Sequence, residues 1–172
     1  ENFITLFTED KKAAQSLLVS LKWVVSEVVF QRLFGLTFAL ILNKNFRGRG
    51  IARTICFAPW AVSGVLTTML WILIYNDNIG FLTGVLRLLG REDLTRAWLS
   101  GLDTVFPSVV IAELWRGIPF FAINILAALQ NIPNELYESA RVDGGTKPQI
   151  LFHVTLPFLK ESIIFAALMR CI

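Results

Sequence analysis

The chain has 172 residues, 55% hydrophobic and only 17% charged, with a formal charge of +3 and a pI near 9.1. Apolar residues come in blocks long enough to cross a bilayer, which takes about 20 residues per helix, and this excludes an ordinary soluble domain. The cations cluster in one short loop instead of forming an aromatic-interleaved stripe, so the positive charge does not indicate nucleic acid.

Residues 1–16 are polar and mixed in charge, without the basic-then-apolar order of a signal peptide. The first span is expected at about 17–42, interrupted by Lys22, Glu27 and Arg32. Charges inside a bilayer are costly and face a bundle interior or an aqueous cavity. Glu27 and Gln31, four apart, share one helical face, read as a packed inward face rather than a substrate contact. Residues 43–53 carry Lys44, Arg47, Arg49 and Arg53 with no acid, and Gly48 and Gly50 mark a tight turn.

The second span, about 54–75, holds no charged residue; Pro59 lies near its start, and Trp71 and Tyr75 near its end are expected at the membrane interface. Residues 76–103 form a longer connection with near-balanced charge, within which 81–89 is apolar enough for a short surface helix. The third span is expected at about 104–129. Glu113 and Arg116, three apart, pair on one face, and Pro119 leaves the carbonyl of Trp115 without its helix partner. Glu113, Trp115, Arg116 and Asn124 are candidate substrate-pathway residues. The plainer reading is a kinked helix with an internal ion pair, and for Asn124 a helix-to-helix hydrogen bond. A polar connection, about 130–160, leads to a partial fourth span at 161–172.

Basic short loops stay cytoplasmic. That places 43–53 and 130–160 in the cytoplasm and residues 1–16 and 76–103 outside. Cys56 and Cys171 lie far apart in apolar segments and make neither a disulfide framework nor a metal spacing, and His153 reads as an ordinary loop or helix residue. The spans contain no Asp or His, which argues against an intramembrane enzyme.

The cytoplasmic connection carries the strongest pattern. Pro133 and Glu135 suit the first turn of a helix, and Ile132, Leu136 and Ala140 repeat every four residues along one face. Gly144 and Gly145 can each adopt the left-handed conformation that closes a helix. Thr146 and Gln149 then stand in capping-box spacing, with Pro148 in the first turn of a second helix. The result is a short amphipathic helix beneath the membrane, its Ser139 and Ala140 small enough for close approach by another protein.

Glu138, Ser139, Ala140, Arg141, Val142, Asp143 and Gly144, then nine residues, then Val154, Thr155, Leu156 and Pro157 closely resemble the EAA loop of binding-protein-dependent ABC importer permeases. Ser139 and Gly145 depart from that pattern, each by a small residue. Phe46 to Gly50, Phe57 to Trp60, Trp71, Asn76 with Gly80, and Trp115 to Phe120 extend the resemblance to the carbohydrate-uptake branch, similar to maltose-type and glycerol-phosphate-type permeases.

The resemblance implies an all-α, polytopic transmembrane bundle of the type I importer kind: one permease domain over 1–172, truncated at both ends, in the bacterial inner membrane. It implies a non-enzymatic subunit that forms, with a second permease, the pathway for a sugar or sugar derivative delivered by an extracytoplasmic solute-binding protein. The ATPase-coupling loop would comprise Glu135, Glu138, Ser139, Ala140, Arg141, Asp143, Gly144, Gly145, Leu156 and Pro157. No cofactor is expected on this chain. It has no Gly-rich P-loop, so ATP and Mg belong to a pair of cytoplasmic ATP-binding subunits. Import of a polyamine or amino acid by the same architecture is the alternative, and a non-transporting membrane scaffold is another.

Overall fold

The computed structural model describes residues 11–171, so the outward placement expected for residues 1–16 falls mostly outside it, as does Ile172. Regular structure among the described residues is helical throughout. Helix α1 spans Lys11–Asn43, α2 Arg49–Ala61, α3 Gly64–Ile74 and α4 Phe81–Leu88, followed by a single 3₁₀ turn at Glu92–Leu94. Then come α5, Val105–Gln130, the short α6, Asn134–Val142, and α7, Lys147–Ile150, which runs through a π turn at Leu151–Thr155 into α8, Leu156–Cys171. Among the described residues three helices are long and apolar enough to cross a membrane: α1, α5 and the continuous Lys147–Met169 stretch.

Three expectations need correction. The segment 54–75 is not one straight span: α2 and α3 meet at an angle of 96°. The break has a local cause. Pro59 removes a backbone donor from the last turn of α2, Val62 turns to an extended backbone, and Ser63 opens α3 by accepting the Leu66 N–H on its hydroxyl at 3.4 Å. Helix α2 also begins earlier than expected, at Arg49, because Gly48 takes φ +88° and reverses the chain there. The second short helix and the fourth span at 161–172, expected as separate elements, are one continuous helical stretch from Lys147 to Met169. Pro157 is accommodated by the π turn just before it, where the Leu156 N–H reaches back to the Leu151 carbonyl.

Helix α5 is the hub. Of its most apolar 18-residue window 39% is buried, against 22% for α1 and for the 147–169 helix, because α1, α2 and α8 all pack on it. Lipid tails are as apolar as leucine, so helix association here depends on close fit more than on burial of oily surface. Glycine supplies that fit at the α1–α5 crossing. A Cβ on Gly35 would lie 2.6 Å from Phe121 Cβ, and one on Gly117 would strike the Gln31 side chain. Gln31 itself is fully buried and donates to Glu27, also buried, so the polar face expected on the first span does turn inward. A second cluster, formed by Ala39 and Leu42 of α1, Ile125, Leu126 and Leu129 of α5, Ile132 and Leu159, closes the bundle at the end that carries α6.

Candidate functional site

Two places gather the residues singled out above, the α6 segment and a cavity beside α5. Helix α6 stands off the bundle, with no fully buried residue of its own. Glu135 sits in its first turn, where a negative charge suits the positive helix end. Glu135, Glu138, Ser139, Arg141 and Asp143 are exposed, whereas Ala140 is half-buried. The helix ends in a Schellman motif: the Gly144 N–H donates to the Arg141 carbonyl at 3.0 Å and the Gly145 N–H to the Ala140 carbonyl at 2.9 Å. Only Gly144 is left-handed, at φ +80°. Gly145, expected to share that conformation, is required for another reason: a Cβ there would lie 2.6 Å from the Ala140 oxygen.

Gln149 Oε1 then accepts both the Thr146 N–H at 2.8 Å and the Thr146 hydroxyl at 2.7 Å, which starts α7 as the spacing predicted. Between the two helices lies an open groove of about 360 Å³, lined by Asp143, Gly144, Gly145, Gln149 and His153 among others. His153 is an exposed helix residue whose Nδ1 lies 3.0 Å from the Gln149 carbonyl. Leu156 is half-buried and Pro157 exposed, both just past the π turn.

In the membrane-spanning part, Glu113 and Arg116 form the expected pair at 3.4 Å, both partly exposed. Arg116 points toward the break between α2 and α3, with a guanidinium nitrogen 4.0 Å from where a Gly64 Cβ would lie. Glu113 also lines a cavity of about 150 Å³ with Thr67, Thr68, Trp71 and Tyr75. Trp71 lies 5.1 Å from the Tyr75 ring and meets Trp115 edge-on at 6.0 Å.

Trp71 is half-buried and Tyr75 buried, so both rings, expected at the interface from their place at a span end, pack against the protein. Tyr75 is 5% exposed and donates to the Ser108 carbonyl at 3.0 Å. The buried indole N–H groups of Trp71 and Trp98 have no hydrogen-bond partner among the described residues. Sequence reasoning missed Thr67, Thr68 and Trp98, which become neighbours of the α5 residues only through the break in the second span and the return of 92–104. Asn124 binds the Phe120 carbonyl of its own helix at 2.8 Å, which replaces the expected helix-to-helix bond. The cavity lining thus joins two aromatic rings, two hydroxyls and the Glu113 carboxylate to an apolar wall of Ile72, Leu99, Val109 and Ala112, with Arg116 reached only through its pairing with Glu113. Among the described residues no group of His, Cys, Asp and Glu is arranged to hold a metal ion.

Residues 32–172 match the family described as binding-protein-dependent transport system inner membrane component. The chain is 37% identical to a trehalose/maltose transport system permease protein of Thermococcus litoralis, over 91% of this chain and 52% of that protein. It is 30% identical to a diacetylchitobiose uptake system permease protein of Streptomyces coelicolor, over 95% of this chain and 49% of that one. In structure it is similar to a bacterial ABC transporter involved in the import of the acidic polysaccharide alginate, with a TM-score of 0.85 and 25% identity over 98% of this chain and 58% of that one. The chain therefore spans about half the length of the curated relatives it matches.

Proposed function

Because this chain belongs to the family of binding-protein-dependent transport system inner membrane components, we propose that the whole protein is a permease subunit of an ATP-driven importer for a sugar or sugar derivative. The observation that carries the coupling part is the exposed, glycine-closed α6 helix, set between α5 and α7 and presenting Glu135, Glu138 and Arg141 outward. A short rigid helix with charged side chains and a small-residue stretch at Ser139 and Ala140 fits a groove on a cytoplasmic ATP-binding subunit. Closure of two such subunits on ATP would move α6, and α6 would move the helices behind it.

The substrate part rests on the cavity at Thr67, Thr68, Trp71, Tyr75 and Glu113, beside the Glu113–Arg116 pair. In this reading Trp71 and Trp115 supply stacking faces, and Thr67, Thr68, Glu113 and Arg116 bind hydroxyls. Asn124, tied to its own helix, has the weakest claim. A second permease would complete the pathway, an extracytoplasmic solute-binding protein would deliver the solute, and ATP and Mg would reside on the ATP-binding subunits. The basic 43–53 turn and the α6 segment would face the cytoplasm of a bacterial inner membrane.

The deciding experiment is calorimetry of the associated solute-binding protein against sugars, polyamines and amino acids. It would be joined to uptake by vesicles holding the complete complex. Binding of a mono- or oligosaccharide with ATP-dependent uptake is expected. Tight binding of only a polyamine or an amino acid would move the assignment to that class.

A further inference from the structure

We infer that Tyr137 is the positioning residue through which α6 drives the membrane helices, seated against Thr155 of the π turn; this rests on the coupling role proposed above. On α6 Leu136, 36% exposed, Tyr137 and Ala140 turn away from solvent, and none of them is fully buried. Ala140 offers a single methyl group and a carbonyl already used in closing the helix. Tyr137 is the α6 side chain that packs against the buried helix cluster and carries a hydroxyl to its far side.

Its ring packs against the buried cluster that joins α1, α5 and α8. A displacement of α6 is thus passed to three helices at once by one rigid aromatic wedge. The peptide link on one side is softer, since it runs through Gly144 and Gly145.

The far end of the wedge meets the most irregular point of the last helix. The Tyr137 and Thr155 hydroxyl oxygens lie 3.5 Å apart, and Thr155, 4% exposed, also faces the Ile150 carbonyl at 3.4 Å. A hydroxyl has one proton and two acceptor positions. Thr155 can donate to Ile150 and accept from Tyr137, or donate to Tyr137 and release Ile150. The π turn at Leu151–Thr155 already spaces its hydrogen bonds unevenly, as such turns at functional sites do. Exchanging one hydrogen bond there lets α8 shift against α7 without breaking its helix. The ring is the lever, and the hydroxyl contact orients it.

The test uses the complete purified complex in vesicles. Three quantities are measured: ATP-binding subunits retained, ATP hydrolysis stimulated by loaded solute-binding protein, and solute moved per ATP. Tyr137→Leu keeps apolar volume and should retain the subunits and basal hydrolysis while solute moved per ATP falls about tenfold, the order by which residues along a coupling route act. Tyr137→Phe should restore most of the ratio, and Thr155→Val should lower it about threefold.

An unchanged ratio in Tyr137→Leu would overturn the inference, as would an equal loss in Tyr137→Phe. Loss of the ATP-binding subunits from Tyr137→Leu would also overturn it, by placing Tyr137 in the docking surface. Glu138→Lys, measured alongside, reads the parent hypothesis separately. If it leaves subunit retention and stimulation normal, the coupling role of α6 itself fails, whatever Tyr137 does.

Discussion

Replacing Gly144 separates three effects that a single substitution would confound. The residue holds φ +80°, and nothing lies within 4 Å of where its Cβ would stand, so added side chains meet no steric block. Gly144→Ala therefore tests backbone strain alone, about 1–2 kcal/mol for an L-residue in this conformation. Gly144→Asn should cost less, because asparagine tolerates the left-handed region.

Gly144→Asp keeps that tolerance but sets a negative charge next to Asp143 at the negative end of α6, a penalty of about 0.3–1 kcal/mol. It also brings charge to the face proposed to enter the partner. If the cap must be closed for docking, Ala should lower the docking-competent population about tenfold at ~1.4 kcal/mol, and Asn about two- to threefold. Asp should fall below Asn by more than the helix-end term alone, since it carries charge into the contact. The assay is ATP-binding-subunit stoichiometry in the purified complex, with stimulation of hydrolysis by loaded solute-binding protein. Equal, normal values for Ala, Asn and Asp would refute both the cap argument and the docking face.

Three further outcomes follow from the geometry. Gly117→Ala should destabilise the bundle by about 1–3 kcal/mol, because its methyl displaces buried Gln31; Gln31→Ala in the same chain should recover much of the loss in thermal melting of the purified protein. Arg116→Ala and Trp71→Ala should each weaken solute-dependent transport without reducing ATP-binding-subunit retention, and a loss of subunits in either would place the defect in folding. With Cys56 and Cys171 replaced, single cysteines at positions 48 and 145 should resist an impermeant thiol reagent in intact cells while one at position 92 reacts. Labelling at 48 or 145 would reverse the orientation.

Most of the helical layout was legible because its causes are local. Apolar blocks of bilayer length mark α1 and α5, and the Thr146–Gln149 spacing and Gly144 set the ends of α7 and α6 through contacts within a few residues. The four-residue pairing of Glu27 with Gln31 and the three-residue pairing of Glu113 with Arg116 follow from helical pitch alone. What sequence could not show is which faces meet. Pro59, Val62 and Ser63 end one helix and open the next through local bonds, but the 96° angle between the two is announced by no spacing along the chain.

That bend joins Thr67 and Trp71 to Glu113, and the return of 92–104 sets Trp98 beside the buried Tyr75, a contact that no spacing along the chain predicts. Thr155 and Tyr137, eighteen residues apart, become neighbours only because α6 folds back under α8. Spacing along a helix is a property of the chain. The meeting of side chains from different helices is a property of packing, decided here by glycine at 35 and 117 and by a π turn that no periodicity announces.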